Sequence, residues 1–597
     1  MKTSVLTVLS VILSIFSVSG QGTAGSGIPE IDIRINNTES SHDDYVRDFY
    51  VPCTIRLLQD IPPTSSNSLN VRLRNFTGAP SSAGQVLFAS TNAPSNPGST
   101  TLTLLNPISS AATTFYIKRR PNSSTGGDYL SSRDKDAMIE VLDMRSGQNL
   151  SVLARKAFMV TTETNIPITS TTQVIVNINE TASTLDDYIT WAPTKCSIRL
   201  PSGSPSDLNV IIQNISNSGR LRFASSIAGN GTASGLSVPV TLPSSGMPVH
   251  FFIAGNYGFP SAIDKDAVLE VRTQSGVLLS REAVMVRVRK NANNMSSQER
   301  GRFLSVLKTL KTNNGYQPFI AVHGVAGNEA HTGPGFLPWH RAFILDLERE
   351  LQRIDPSVAL PYWKFDAAAP IIFSSAFMGS KPIPGNTEVT LDDNNPIGIW
   401  GGPTSTTGII RTTLFADGGI PVLRDETATF SWGTIYDDFD RMEGNPHGPA
   451  HTQGGSGSDD WLKTAPTAVN DPLFFLLHSN VDRLWAKWQD LRDRYDVRNS
   501  DTYSPLGAFR TTDPQFRIGH YLEDTMWPWN EATGNGRPAT SPGGDLQGAY
   551  RFELVPGNRP RPRDMIDYQR ITFLPPENTT INRNANSGFC YDDVPYN

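Results

Sequence analysis

The feature that most constrains the fold is an internal duplication in the first half of the 597-residue chain. Asp43-Asp44-Tyr45-Val46 returns as Asp186-Asp187-Tyr188-Ile189, and Cys53-Thr54-Ile55-Arg56-Leu57 as Cys196-Ser197-Ile198-Arg199-Leu200. Leu69-Asn70-Val71, Phe88-Ala89-Ser90 and Asp134-Lys135-Asp136-Ala137 recur in the same order as Leu208-Asn209-Val210, Phe223-Ala224-Ser225 and Asp264-Lys265-Asp266-Ala267. Matches in one order imply two tandem copies of one unit, and so long a period means duplicated domains rather than a solenoid. Inside each copy, short apolar runs such as Val210-Ile211-Ile212 and Val284-Met285-Val286-Arg287-Val288 are separated by Ser/Gly/Pro/Asn clusters. That pattern predicts an antiparallel β-sandwich in each copy, over residues 21–165 and 166–293. Cys53 and Cys196 hold equivalent positions, one per copy, which favours buried free thiols over a bridge between the copies.

Past Asn294 the periodicity changes from that of strands to that of helices. Ser297-Gln298-Glu299-Arg300 opens a stretch with Phe303, Val306, Leu307 and Leu310 on one face. Trp339 to Ile354 forms a second, and a third opens at Asp471-Pro472 and carries Phe474, Leu477, His478, Val481, Trp485 and Trp488. Apolar residues at this spacing predict amphipathic helices, and Pro is tolerated in a first turn. Ala367 to Thr429, rich in Gly, Pro and Thr, reads as long surface loops. Lys290 to Ser297, with three asparagines and little apolar content, reads as a linker. The expected architecture is two tandem all-β sandwich domains followed by a mainly α-helical domain.

Lys2 followed by the apolar run Val5 to Val18 and by Ser19-Gly20 reads as a signal peptide over residues 1–20, so the protein is expected to be secreted. Nine N-x-S/T triplets, headed by Asn36, Asn75, Asn122, Asn149, Asn179, Asn214, Asn230, Asn294 and Asn578, fit a glycoprotein. No later segment is apolar enough for a membrane span. A net charge of −6 spread along the chain argues against a nucleic-acid partner.

Of nine histidines, six lie between His323 and His478, about a quarter of the chain. They divide into His323, His331 and His340 upstream and His447, His451 and His478 downstream, with His447 and His451 at i, i+4 so that both rings can leave one helical face. His42 and His250 stand alone, without a partner at ligand spacing. Two clusters of neutral imidazoles suit transition metals. Di-iron bundles lean on glutamates with Glu-x-x-His spacing, and dinuclear hydrolases on an anionic bridge; neither pattern is present. Three imidazoles per metal suit two copper ions that cycle between Cu(I) and Cu(II).

Phe336-Leu337-Pro338-Trp339-His340-Arg341, with Leu345-Asp346-Leu347-Glu348-Arg349 and Leu360-Pro361-Tyr362-Trp363, resembles the first copper-binding region of the tyrosinase family. Asn470-Asp471-Pro472-Leu473-Phe474-Phe475, with His478 and Val481-Asp482-Arg483-Leu484-Trp485, resembles the second. Asp564-Met565-Ile566-Asp567-Tyr568 resembles the segment that ends the family's core, so the resemblance spans residues 294–572 and leaves a tail over 573–597. The family, the type-3 dinuclear copper proteins, comprises tyrosinases, catechol oxidases and molluscan haemocyanins.

The resemblance implies a copper-dependent oxidoreductase, a polyphenol oxidase that turns small phenols or catechols into o-quinones with O2 as co-substrate. It assigns one copper to His323, His331 and His340 and the other to His447, His451 and His478. It places Glu443 where some relatives hold a water that deprotonates a phenol, and Gly448 where strong monooxygenases carry Asn, which favours catechol oxidation over hydroxylation. Thr467 falls in the loop bordering the entrance, and Phe474 where a ring packs on a ligand imidazole. Relatives often tie the second upstream histidine to a cysteine, but no cysteine lies between Cys196 and Cys590, so that link is absent. Two alternatives stay open: a haemocyanin-like oxygen carrier, and an adhesive or matrix protein whose copper domain modifies protein tyrosines. In the latter the β repeats bind matrix, glycan or protein.

Overall fold

The computed structural model describes residues 31–36, 45–57, 69–76, 85–93, 95–104, 106–122, 127–131, 137–144, 152–161, 174–180, 187–215, 219–224, 236–331, 333–398, 400–405, 407–412, 415, 423–504, 519–530, 560–570 and 588–596. The signal-peptide segment, the junction at 165/166, and Asn149, Asn230 and Asn578 lie outside them.

The duplication is visible strand for strand. In the first copy a four-stranded sheet runs Ile31–Ile35, Val51–Leu57, Thr113–Arg119, Val86–Ala89, and a five-stranded sheet runs Tyr45–Val46, Val152–Val160, Ala137–Asp143, Val71–Asn75, Thr101–Thr103. The second copy repeats both orders with Ile175–Asn177, Thr194–Arg199, Val249–Gly255, Leu221–Ala224 and with Tyr188–Ile189, Leu278–Val286, Ala267–Thr273, Leu208–Asn214, Ser237–Leu242. Side-chain alternation explains the burial: along Val51–Leu57, Val51, Cys53, Ile55 and Leu57 point inward, as a period of two requires. A register shift falls at Val141/Leu142 and, equivalently, at Val271/Arg272. Pairing is antiparallel except that Tyr45–Val46 and Tyr188–Ile189 run parallel to the last strand of their copy. Lys265 is buried and pairs with Asp187 at 2.9 Å, while Tyr188 Oη donates to Asp264 at 2.9 Å. In the second copy, two of the repeated motifs therefore hold each other.

Three of the Asn-headed triplets have structural duties instead of free amides. Asn75 Nδ2 donates to the Val86 carbonyl and its Oδ1 accepts the Val86 N–H, at 2.8 and 2.9 Å. Asn214 donates to the Leu221 carbonyl at the equivalent place, and Asn179 is buried against the Tyr188 carbonyl. Each ties its own segment to a strand; Asn75 and Asn179 are buried and Asn214 is half-buried.

The helical half contains α1 (Ser297–Thr312), α2 (Gln317–Val325), α3 (Gly327–Ala330), α4 (Phe336–Ile354), α5 (Glu426–Phe430), α6 (Tyr436–Phe439), α7 (His447–Gly454), α8 (Ala465–Ala468) and α9 (Leu473–Arg492). Helix α1 begins with a capping box between Ser296 and Glu299 and buries Phe303, Val306, Leu307 and Leu310. Helices α4 and α9 pack together as the centre of the core; nearly every residue from Phe336 to Leu351 and from Leu473 to Trp485 is buried.

Two expectations need correction. The segment 367–429 is largely irregular but is no surface decoration, because Ile372, Phe373, Phe377, Met378, Trp400 and Ile409 enter the helical core. Arg411 within it is fully buried and pairs with Asp471 at 2.6 Å, so it braces the start of α9. The segment around Lys290 is not a loose linker either: Ala292 N–H donates to the Tyr362 carbonyl, and Ala292 and Met295 belong to the helical core. Residues 588–596 of the tail pack against both halves. Phe589, Tyr591 and Val594 pack in the helical core, Cys590 packs in the core of the second β copy, and Trp191 Nε1 donates to the Tyr591 carbonyl at 2.9 Å. The first copy also joins in, since Leu142 and Val152 reach the helical core and Arg155 donates to Ser305 at 2.6 Å.

Candidate metal centre

The six histidines arrive from four helices and one loop. His323 sits on α2, held inward by buried Phe319 and Val322; His340 sits on the first turns of α4; His447 and His451 share α7; and His478 is buried on α9. His331 follows α3 on extended backbone, with φ −140° and ψ 163°. Within each set of three, one ring nitrogen per residue lies within 4.8 Å of the others. The two sets touch, because the rings of His340 and His478 stack at 4.2 Å between centroids.

Backbone carbonyls decide which nitrogen faces the centre. His323 Nδ1 lies 2.9 Å from the Ala465 carbonyl, His340 Nδ1 2.9 Å from Phe336, His447 Nδ1 2.9 Å from Glu443 and His451 Nδ1 2.7 Å from Leu462. A carbonyl can only accept, so each Nδ1 carries the proton and each Nε2 presents a lone pair. Burial, reinforced by the neighbouring histidines, holds the imidazoles below their ordinary pKa, His451 at about 4. All six are therefore neutral at neutral pH, the state that binds metal.

The resulting lone pairs need a cation. Nε2 of His323 and of His340 is buried with no hydrogen-bond partner. His478 Nε2 faces Nε2 of His447 at 3.3 Å and of His451 at 3.1 Å. A single proton on His478 satisfies one of those neighbours at most, whereas a metal ion between them satisfies all three. Among the described residues no carboxylate joins either set. Neutral nitrogen donors without anionic oxygen fit copper, and the residues present fit one copper per set.

Aromatic rings wall the centre. Phe474 is fully buried, 4.2 Å from the His478 ring and 4.7 Å from that of His323, so it forms the floor under both sets and has no face toward solvent. Phe336, unnoticed in the sequence as a site residue, lies 4.8 Å from His340 and 4.9 Å from His447. Glu443 and Gly448 flank His447 and are half-buried; the Glu443 carbonyl is the group that orients His447. Thr467 turns its hydroxyl into its own loop, donating to the Trp461 carbonyl at 2.7 Å. That loop supplies the carbonyls of both Leu462 and Ala465, so one short segment orients a histidine of each set. These carbonyls were invisible in the sequence, since every residue type carries one.

A helical core that presents two adjoining sets of three neutral imidazoles defines a type-3 dinuclear copper protein. The chain belongs to the tyrosinase family: the common central domain of tyrosinase matches residues 313–417 and 409–491. The tyrosinase of Streptomyces antibioticus is 30% identical over 275 residues, 41% of this chain and 94% of that protein. That of Streptomyces glaucescens is 30% identical over 281 residues, 41% and 93% of the two chains. A G-type hemocyanin of Enteroctopus dofleini is 26% identical over 258 residues, covering 39% of this chain and 9% of that one. No helix among the described residues is long and apolar enough to cross a membrane.

Proposed function

We propose that this chain is a secreted dicopper oxidase that converts catechols, and monophenols more slowly, to o-quinones with O2. His323, His331 and His340 hold one copper; His447, His451 and His478 hold the other. The observation that carries the reading is the set of inward-facing Nε2 lone pairs on neutral, buried rings. Copper, when bound, supplies O2 binding and electron exchange with the phenol. The chain does the rest. Its carbonyls hold the Nδ1 protons of His323, His340, His447 and His451, keeping Nε2 of each free to ligate. Phe336 and Phe474 keep water from the floor, and Glu443 accepts the phenol proton directly or through a water. Gly448 leaves that water without an orienting amide, which slows hydroxylation more than catechol oxidation. Thr467 shapes the rim by bracing its loop.

On this reading residues 21–165 and 166–293 are β-sandwich domains that dock matrix, glycan or protein. Residues 294–572 are the catalytic domain, residues 588–596 of the 573–597 tail clasp it to the second sandwich, and residues 1–20 direct export. Exposed Asn294 is a glycan acceptor consistent with it. The hemocyanin relative supports a second reading, an oxygen carrier. Oxygen uptake by the purified full chain, with a monophenol and a catechol side by side, separates the two. Sustained uptake with catechol supports the oxidase; stoichiometric, reversible uptake without turnover supports the carrier.

A further inference from the structure

His520 is a buried histidine outside both sets, and nothing in the reaction uses it. Its ring lies against Gly333 and Gly335: a Cβ at Gly333 would collide with the ring, and one at Gly335 would stand 3.3 Å from Nδ1. The Gly335 N–H donates to His520 Nδ1 at 3.2 Å, and His520 Nε2 lies 2.7 Å from the Asn328 carbonyl. Nδ1 must be the acceptor and Nε2 the donor, the tautomer opposite to that of the carbonyl-bound ligand histidines. Gly335 caps the start of α4, where a helix leaves N–H groups without internal partners; Asn328 belongs to α3. One ring therefore ties the end of one helix to the beginning of the next.

His331 lies between those two anchor points. The other five ligands are carried on α2, α4, α7 and α9, whose geometry holds them; His331 alone sits on non-helical backbone. The chain after it is braced from elsewhere in the fold, because Tyr436 Oη and Tyr503 Oη both donate to the Pro334 carbonyl, at 2.6 and 2.9 Å. Tyr503 Oη also lies 3.0 Å from the His520 carbonyl, so His520 and the loop are held as one unit.

We propose that His520 is a positioning residue for the first copper site, holding His331 in place by clamping residues 328–335. The proposal rests on the reading that His323, His331 and His340 bind a metal. The effect is expected at one site, because the ring's hydrogen bonds go to α3 and to the start of α4, while the downstream set is carried on α7 and α9.

The test is Cu(I) titration of the metal-free full chain against a chromogenic chelator. The wild-type chain takes up two coppers. His520→Gln keeps a donor for Asn328 but loses the rigid ring that packs on Gly333 and places an acceptor at the Gly335 N–H, and His520→Ala removes donor and acceptor alike. Each is expected to weaken one of the two sites by about 10- to 100-fold, with Ala the more severe, and to leave the other unchanged. In a His340→Ala background, where the first site is already disabled, His520→Gln should not alter binding at the remaining site. Equal weakening of both sites, an unchanged first site, or a persisting effect in the His340→Ala background would overturn the proposal while leaving the two-copper reading intact. A wild-type chain that binds no copper would overturn both.

Discussion

Arg289 and Asp482 form an ion pair at 3.0 Å with 0% and 1% of their side chains exposed. Arg289 stands at the end of the β half and Asp482 in the middle of α9. The same carboxylate also takes Arg341 from α4 and, at 2.6 Å, the hydroxyl of Tyr591 from the C-terminal segment, while Arg289 grips Glu348 at 2.7 Å. Its guanidinium lies 3.6 Å from the Phe589 ring centroid. Three parts of the chain thus meet at a network with no solvent to replace a missing member.

Removing one member should be costly. Arg289→Ala leaves Glu348 buried without its main cation and is expected to destabilise the full chain by about 3 to 5 kcal/mol. Arg289→Met, which fills the volume, should behave no better because the carboxylates stay. A fragment beginning near Asn294 lacks Arg289 and should aggregate. Thermal unfolding and size exclusion check both, and a monomeric, copper-binding fragment would contradict the role of the network.

Each histidine set should lose its own metal. His340→Ala or His478→Ala is expected to lower bound copper from about two per chain to about one, since three imidazoles are the coordination that each set offers. Metal analysis of the purified variants decides it. Two retained coppers in either variant would remove that residue from the ligand set.

At Gly448 an added Cβ would meet nothing closer than the Glu443 carbonyl at 3.8 Å. The Cβ of an Asn is therefore accommodated, and Gly448→Asn should raise the ratio of phenol hydroxylation to catechol oxidation by about tenfold. Glu443→Gln should lower phenol turnover more than catechol turnover. Parallel changes on both substrates would reduce Glu443 to its backbone carbonyl's role.

Phe474 has no exposed surface and touches rings of both sets. Phe474→Ala opens a cavity under the centre and should cost about 3 to 5 kcal/mol. Denaturation of the metal-free chain measures it, and a loss under about 1 kcal/mol would show that the floor collapses to fill the gap.

Cys53, Cys196 and Cys590 are buried free thiols, and burial pushes Cys590 up to about 12. A thiolate-dependent reagent at neutral pH should find none of them in the folded protein and all three after denaturation. Recovery of one thiol only would reveal a disulfide.

The elements legible in the sequence were those whose cause is local. The Ser296 and Glu299 capping box, the apolar stripe of α1 and the i, i+4 histidines of α7 each lie within a few residues of chain. The duplicated strands could be read because the copies check one another. The segment around Lys290 reads as a linker because its asparagines look solvated, whereas its neighbour Arg289 finds partners 59, 193 and 302 residues away. Likewise 367–429 looked like surface because its apolar residues follow no period, yet they are buried one by one.

Read as letters alone, the chain already shows two copies of a β unit ahead of a helical half, and six histidines in two threes available to a dinuclear copper centre. Those properties reside in residue identity and spacing. Only the tertiary structure decided which ring nitrogen faces the metal, that one loop orients a histidine of each set, that His520 clamps the segment carrying His331, and that the chain's last residues close the joint between halves. The physical reason is that tautomer, burial and ion pairing depend on which atoms lie opposite after the chain has closed on itself. A backbone carbonyl has no signature in sequence, and a buried arginine is written with the same letter as a solvated one.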